Sequence, residues 1–181
     1  MCTVRHVLGA GLWVILALIT PAAASAADTP DLRGRWRRNP ELSQDAVSKV
    51  FASLALEGRG FSPDEQRFHD ALLHVAKAIE GLQIEQTAED VKIILGSDEV
   101  QIYYPGRARA RQGVLGGRLE VLTRWRGDEL IVREKNDFGK LVQSLSLDRQ
   151  GRLSVLVSLD DRRLREPLLF LSVYDRVPPQ P

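Results

Sequence analysis

The stretch RLEVLTRWRGDELIVREK, residues 118–135, alternates in two runs around a Gly127-Asp128 break. Leu119 and Val121 fall on one face with Glu120 opposite, and Leu130 and Val132 fall on one face with Arg133 opposite. A period of two is that of a strand, because successive side chains leave a pleated backbone on opposite sides. Working outward, the period persists in runs at about 82–87, 91–95, 99–104, 107–112, 118–126, 129–135, 140–147, 152–160 and 167–176. The turns between them fall at Glu89 and Asp90, Gly96 to Asp98, Pro105 and Gly106, Gly127 and Asp128, Asn136 to Gly139, and Asp148 to Gly151. Short, evenly spaced strands predict an antiparallel meander that closes into a barrel or sandwich. Connections this short leave no room for crossover helices, which parallel pairing would require.

The inner face predicted from this pattern carries Leu82 and Ile84, Val91 and Ile93, Val100 and Ile102, Leu119 and Val121, Leu130 and Val132, and Leu153, Val155 and Val157. Gln83, Glu85, Lys92, Gln101, Glu120, Arg133 and Ser154 are expected outside. Gln86, Thr123, Gln143, Ser172 and Tyr174 interrupt the apolar face, either as partners for backbone groups or as polar anchors in a ligand cavity.

Before this region, Leu32, Gly34 and Trp36 alternate with arginines in a half-buried strand that Asn39 and Pro40 end. A helical period follows. Val47, Val50, Phe51 and Leu54 form a stripe with Ser43 read as its cap, and Gly58 to Gly60 break it. Ser62-Pro63-Asp64-Glu65 is a capping box with proline at the first helical position, and Phe68, Leu72, Val75 and Ile79 continue down one face to Gly81. Residues 43–80 are therefore expected to form a helical hairpin with one apolar side.

Residues 1–26 read as a cleaved export signal: Arg5 and His6, an apolar run from Val7 to Ile19, and small residues ending at Ala26. No later segment reaches the roughly 18 apolar residues of a membrane-spanning helix. The expectation is a periplasmic or secreted protein with one domain over 27–177 and a disordered tail at 178–181. Cys2, the only cysteine, leaves with the signal, so the mature domain has no disulfide. The whole chain has 25 Lys and Arg against 24 Asp and Glu, and loss of Arg5 balances them. A balanced charge offers no general attraction to nucleic acid or anionic membranes.

The order of elements resembles the calycin barrels, the superfamily of lipocalins and intracellular fatty-acid-binding proteins. It rests on Gly34-Arg35-Trp36 in the first strand, the helical pair, the nine following strands and a last strand ending Val173-Tyr174-Asp175-Arg176. The helix pair after the first strand and the Trp125-Arg126-Gly127-Asp128-Glu129-Leu130 turn are similar to the fatty-acid-binding branch, and the whole chain to uncharacterised secreted bacterial proteins with a lipocalin-like barrel. The fold implied is mainly β, an up-and-down antiparallel barrel of about 8–10 strands with a two-helix insertion after the first. The resemblance implies that Gly34, Trp36 and Arg176 close one barrel end, with Trp36 packed under Arg176. It also implies a hydrophobic or amphipathic small-molecule ligand. One position departs from the fatty-acid-binding pattern: Ser172 stands two residues before Tyr174, where an arginine would form the carboxylate clamp.

Catalytic chemistry finds no support in the motifs. His69 and His74 lie about 140° apart around one helix and cannot share a metal, and nucleophile-elbow, phosphate-loop and zinc-helix motifs are absent. No catalytic residue, metal, cofactor or nucleic-acid partner is expected. Two readings remain: a carrier that holds a lipid-like molecule in the barrel under a helical lid, and a filled barrel that binds an envelope protein partner through residues 43–80. For the carrier, the candidate ligand-binding residues are Tyr104, Arg107, Arg109, Arg111, Thr123, Ser172 and Tyr174. Arg107, Arg109 and Arg111 share one face of a strand, and the turn decides which. A two-residue loop at Pro105-Gly106 puts them on the inner side, and one more residue turns them to water. Proline disfavours the primed turns of tight hairpins, and three buried guanidiniums without matching acids would each cost several kcal/mol, so the solvated stripe is the expectation.

Overall fold

The computed structural model describes residues 29–54, 62–77, 79–96, 99–112, 118–135 and 139–178. The proposed export signal, the Gly58–Gly60 break and most of the proposed tail lie outside the described residues. The chain order is β1 (Gly34–Arg38), α1 (Ala46–Ser53), α2 (Pro63–Ala76), β2 (Gly81–Gln86), β3 (Val91–Leu95), β4 (Glu99–Tyr103), β5 (Ala108–Gln112), β6 (Arg118–Arg126), β7 (Glu129–Lys135), β8 (Gly139–Leu147), β9 (Leu153–Asp161) and β10 (Leu168–Val177). All ten strands form one antiparallel sheet in the order β4-β3-β2-β1-β10-β9-β8-β7-β6-β5. It is a curled half-barrel with two helices after the first strand, and its strands and helices follow in the predicted order. Its two ends, β4 and β5, are consecutive in sequence yet share no ladder.

The first and last strands meet in the middle of the sheet, where Trp36 pairs with Arg176. The Trp36 ring is buried, its Nε1 donates to the Leu32 carbonyl at 3.0 Å, and the Arg176 guanidinium lies 4.4 Å from the ring centroid. Arg176 also donates to the carbonyls of Arg33 at 2.6 Å and Asp31 at 3.2 Å, so its charge is held by backbone as well as by the ring. Gly34 is needed for two reasons. Its φ is +132°, and a Cβ there would stand 3.0 Å from Arg176 Nη1. The expected contact of Arg176 with the Trp36 ring is found, in the middle of a sheet whose unpaired edges are β4 and β5. Leu32, Ile84, Leu130 and Leu153 pack around Trp36 in the main core.

A second core lies under the helices, where Val50, Phe68, Leu72 and Ala76 meet Val157, Leu168 and Phe170 of β9 and β10. The capping box at α2 forms as expected: Glu65 N donates to Ser62 Oγ and Ser62 N donates to Glu65 Oε2. At α1 the cap is Asp45, which accepts from Ser48 N at 3.1 Å. Ser43, the expected cap, instead exchanges hydrogen bonds with the backbone of Val173, because the chain after β1 continues along β10 before it turns into the helix. Of the predicted α1 stripe, Val50 is buried but Val47 and Phe51 are exposed.

The predicted inner face holds everywhere except on β4. There Val100 and Ile102 are about half exposed, and Tyr103 is buried. The cause is register: Leu95 pairs with Glu99, so Glu99, Gln101 and Tyr103 follow Leu95 onto the inner side. Gln101, expected outside, therefore faces in. Apolarity misleads at a sheet end, where scattered exposed aliphatics are ordinary.

Candidate functional site

The unpaired ends of the sheet enclose a cavity of about 270 Å³, lined by Ile102, Tyr103, Tyr104, Arg107, Arg109, Ala110, Arg111, Val121 and Thr123. The chain reaches it through a tight turn. Arg107 N donates to the Tyr104 carbonyl at 3.1 Å, with Pro105 and Gly106 at the central positions and Gly106 at φ +80°. Proline first and a positive-φ glycine second are the requirements of a type II turn. Gly106 N then donates to the Thr123 carbonyl at 2.8 Å, which starts the pairing of β5 with β6.

That pairing decides the arginine face. Arg109 stands opposite Val121 and Arg111 opposite Leu119, and both partners belong to the inner core. Arg109 and Arg111 therefore lie on the inner face rather than the expected outer one, while all three arginines keep the expected exposure to solvent. β4 and β5 form no hairpin ladder, so the register with β6 alone sets the face. Nor are the three guanidiniums desolvated. All three residues remain exposed at the opening, and Arg111 is paired with an acid.

That acid is Glu134 on β7. It stands opposite Val121, is buried, and accepts a hydrogen bond from Arg111 Nη2. Burial pushes the Glu134 carboxyl above its ordinary value, and the Arg111 charge pulls it part of the way back. From the other end of the sheet the Tyr103 hydroxyl donates to Gln101 Oε1, and Gln101 Nε2 donates to Glu99 at 2.7 Å. Tyr103 is pushed up by burial first and by the field of Glu134 second, so these residues face each other across the opening. Arg109 lies with its guanidinium carbon 3.6 Å from the Tyr104 ring centroid. A guanidinium stacked by its face keeps its in-plane N–H donors free.

Of the residues expected at the site, Tyr104, Arg107, Arg109, Arg111 and Thr123 come together at the opening. Ser172 and Tyr174 do not. They sit on β10, away from the opening, and Tyr174 packs in the main core. Tyr103, Gln101 and Glu134 were absent from the expectation. Glu134 had a readable signal, since it continues the inward series Leu130, Val132 as its one charged member. Among the described residues no group of three or more His, Cys, Asp or Glu gathers as a metal site, and no helix is long and apolar enough to cross a membrane.

No protein-family model matches the chain, and no curated protein matches it in sequence. Solved structures do match in shape. The chain is similar to the REP1-NXSQ fatty acid transporter, with 14% identity and a TM-score of 0.55 over 83% of this chain and 98% of that one. It is similar to the Echinococcus granulosus fatty-acid-binding protein 1, with 9% identity and a TM-score of 0.53 over 81% and 98%. It is also similar to the zebrafish ileal bile acid-binding protein complexed with cholic acid, with 13% identity and a TM-score of 0.50 over 80% and 98%. The order and pairing of elements together with these matches establish that the chain has the fold of the fatty-acid-binding proteins.

Proposed function

We propose that the protein is an exported, non-catalytic carrier of a lipid-like small molecule. The observation that carries this reading is the cavity at the open side of the half-barrel, where apolar walls from Val121, Ile102 and Tyr103 meet a small set of converging polar groups. Pockets for small molecules have that make-up: mostly apolar, with a few fixed polar anchors. The neighbours in shape are named for fatty acids and a bile acid, which supports the same ligand class here. At about 270 Å³ the cavity falls just below the ~300–1,000 Å³ of sites that enclose a drug-sized ligand, so it suits the head of an amphiphile with its chain continuing along the barrel or into solvent. Export rests on the charge, length and small-residue ending of residues 1–26.

A second reading, a module that binds another protein through its helices, draws on the exposed Leu42, Val47 and Phe51 around α1. Native mass spectrometry of protein purified from the cell that makes it separates the two. A small lipid that co-purifies reproducibly supports the carrier. A stoichiometric protein partner with no small molecule overturns it.

A further inference from the structure

We infer that the opening between β4 and β5 is an oxyanion site, in which Arg107 and Arg109 hold the carboxylate or phosphate head of a single-chain amphiphile. This deepens the carrier reading and rests on it. Three arginines line the opening or its wall: the pairing with β6 turns Arg109 and Arg111 inward, and Arg107 stands at the turn just before β5. Arg111 is neutralised there by Glu134. Among the described residues Arg107 and Arg109 are in no ion pair. With Glu134 and the inward Glu99 set against the three arginines, the opening carries a surplus of one positive charge.

The geometry suits an oxyanion. Alternate residues on a strand project the same way about 6.6 Å apart, so two guanidiniums can converge on one head group with two or three oxygens. Tyr104 holds Arg109 by its face, which orients the in-plane donors before a ligand arrives. Glu134 has a complementary effect: by engaging Arg111 it leaves Arg107 and Arg109 as the arginines open to a head group.

The test compares oleate, oleyl phosphate and oleyl alcohol on the wild-type protein and on an Arg107→Ala/Arg109→Ala variant, by calorimetry or fluorescence displacement. Both substituted residues are exposed, and oleyl alcohol binding to the variant controls for its fold. Wild type should bind at least one of the two anions at least about 10-fold more tightly than the alcohol, since each charge-assisted hydrogen bond is worth about a factor of ten or more. The variant should bind all three with the alcohol's affinity, and the better anion names the head group. Equal wild-type affinity for alcohol and anions, or an anion preference that survives in the variant, overturns the oxyanion site while the carrier reading stands. Binding of none of the three by wild type overturns the carrier reading and the site with it.

Discussion

The sheet has two places where strands distant in sequence or divergent in space must be reconciled, and they are built differently. At the β1–β10 junction, Trp36 is buried, Arg176 covers its ring, and the guanidinium is satisfied by the carbonyls of Asp31 and Arg33. At the β4–β5 opening, Arg109 also lies on an aromatic ring, but the ring is Tyr104, the ladder is missing and the arginine is exposed. One motif, arginine over an aromatic ring, thus serves two ends. Where the guanidinium donates to backbone carbonyls and the ring is buried, the pair stabilises the fold. Where the donors stay free at a cavity, the pair is available to a ligand.

The largest expected effect tests the first half of that contrast. Trp36→Ala should destabilise the protein by about 3–5 kcal/mol, read as a lower urea midpoint with an unchanged slope, because a fully buried large ring leaves a cavity. Arg109→Ala should change the midpoint by less than about 0.5 kcal/mol, as surface substitutions do. Comparable losses from the two would erase the distinction between the regions.

Gly34→Ala comes next, at about 1–3 kcal/mol, since it forces an L-residue into positive φ and meets Arg176 Nη1. The double variant Gly34→Ala/Arg176→Ala sharpens this. Removing the guanidinium relieves the contact but not the backbone strain, so the second substitution should cost less in the Gly34→Ala background than in wild type. Strict additivity would mean that the close approach plays no energetic part.

A smaller effect distinguishes the opening by pH. The Glu134 carboxyl is raised above the unfolded value of 4.5 by burial, against the opposing pull of Arg111. The linked stability is therefore full below about pH 4.5 and is lost as pH rises through the folded-state value. Relative to Glu134→Gln, wild type should lose stability over that rise, and the difference should level off above it. A difference that stays constant across the range, or that grows in favour of wild type, would contradict the burial of an ionising carboxyl at this position.

These two regions were also unequally legible from residues alone. Alternation placed Trp36 on the buried face of a strand, while its contact with Arg176 came from the calycin resemblance of Gly34-Arg35-Trp36 and the last strand. Most strand bounds follow within a residue or so from the same alternation. At the opening the rule fails. Val100 and Ile102 look inward by composition, yet a three-residue connection after Leu95 places Gln101 and Tyr103 inside. Pro105 argued against a tight hairpin, correctly in chemistry, but no hairpin was needed once β4 and β5 diverge. The pairing of Arg111 with Glu134 joins strands two apart in the sheet, which no local period reports.

The most direct test of the contrast is a two-dimensional amide and indole NMR titration of the wild-type protein with oleate. The account predicts shifts concentrated at Tyr103, Tyr104, Arg107 to Arg111 and Val121 to Thr123, with the Trp36 indole and Ser172 to Tyr174 unmoved. Shifts centred on Trp36 or on β10 with the β4–β5 opening silent would contradict it.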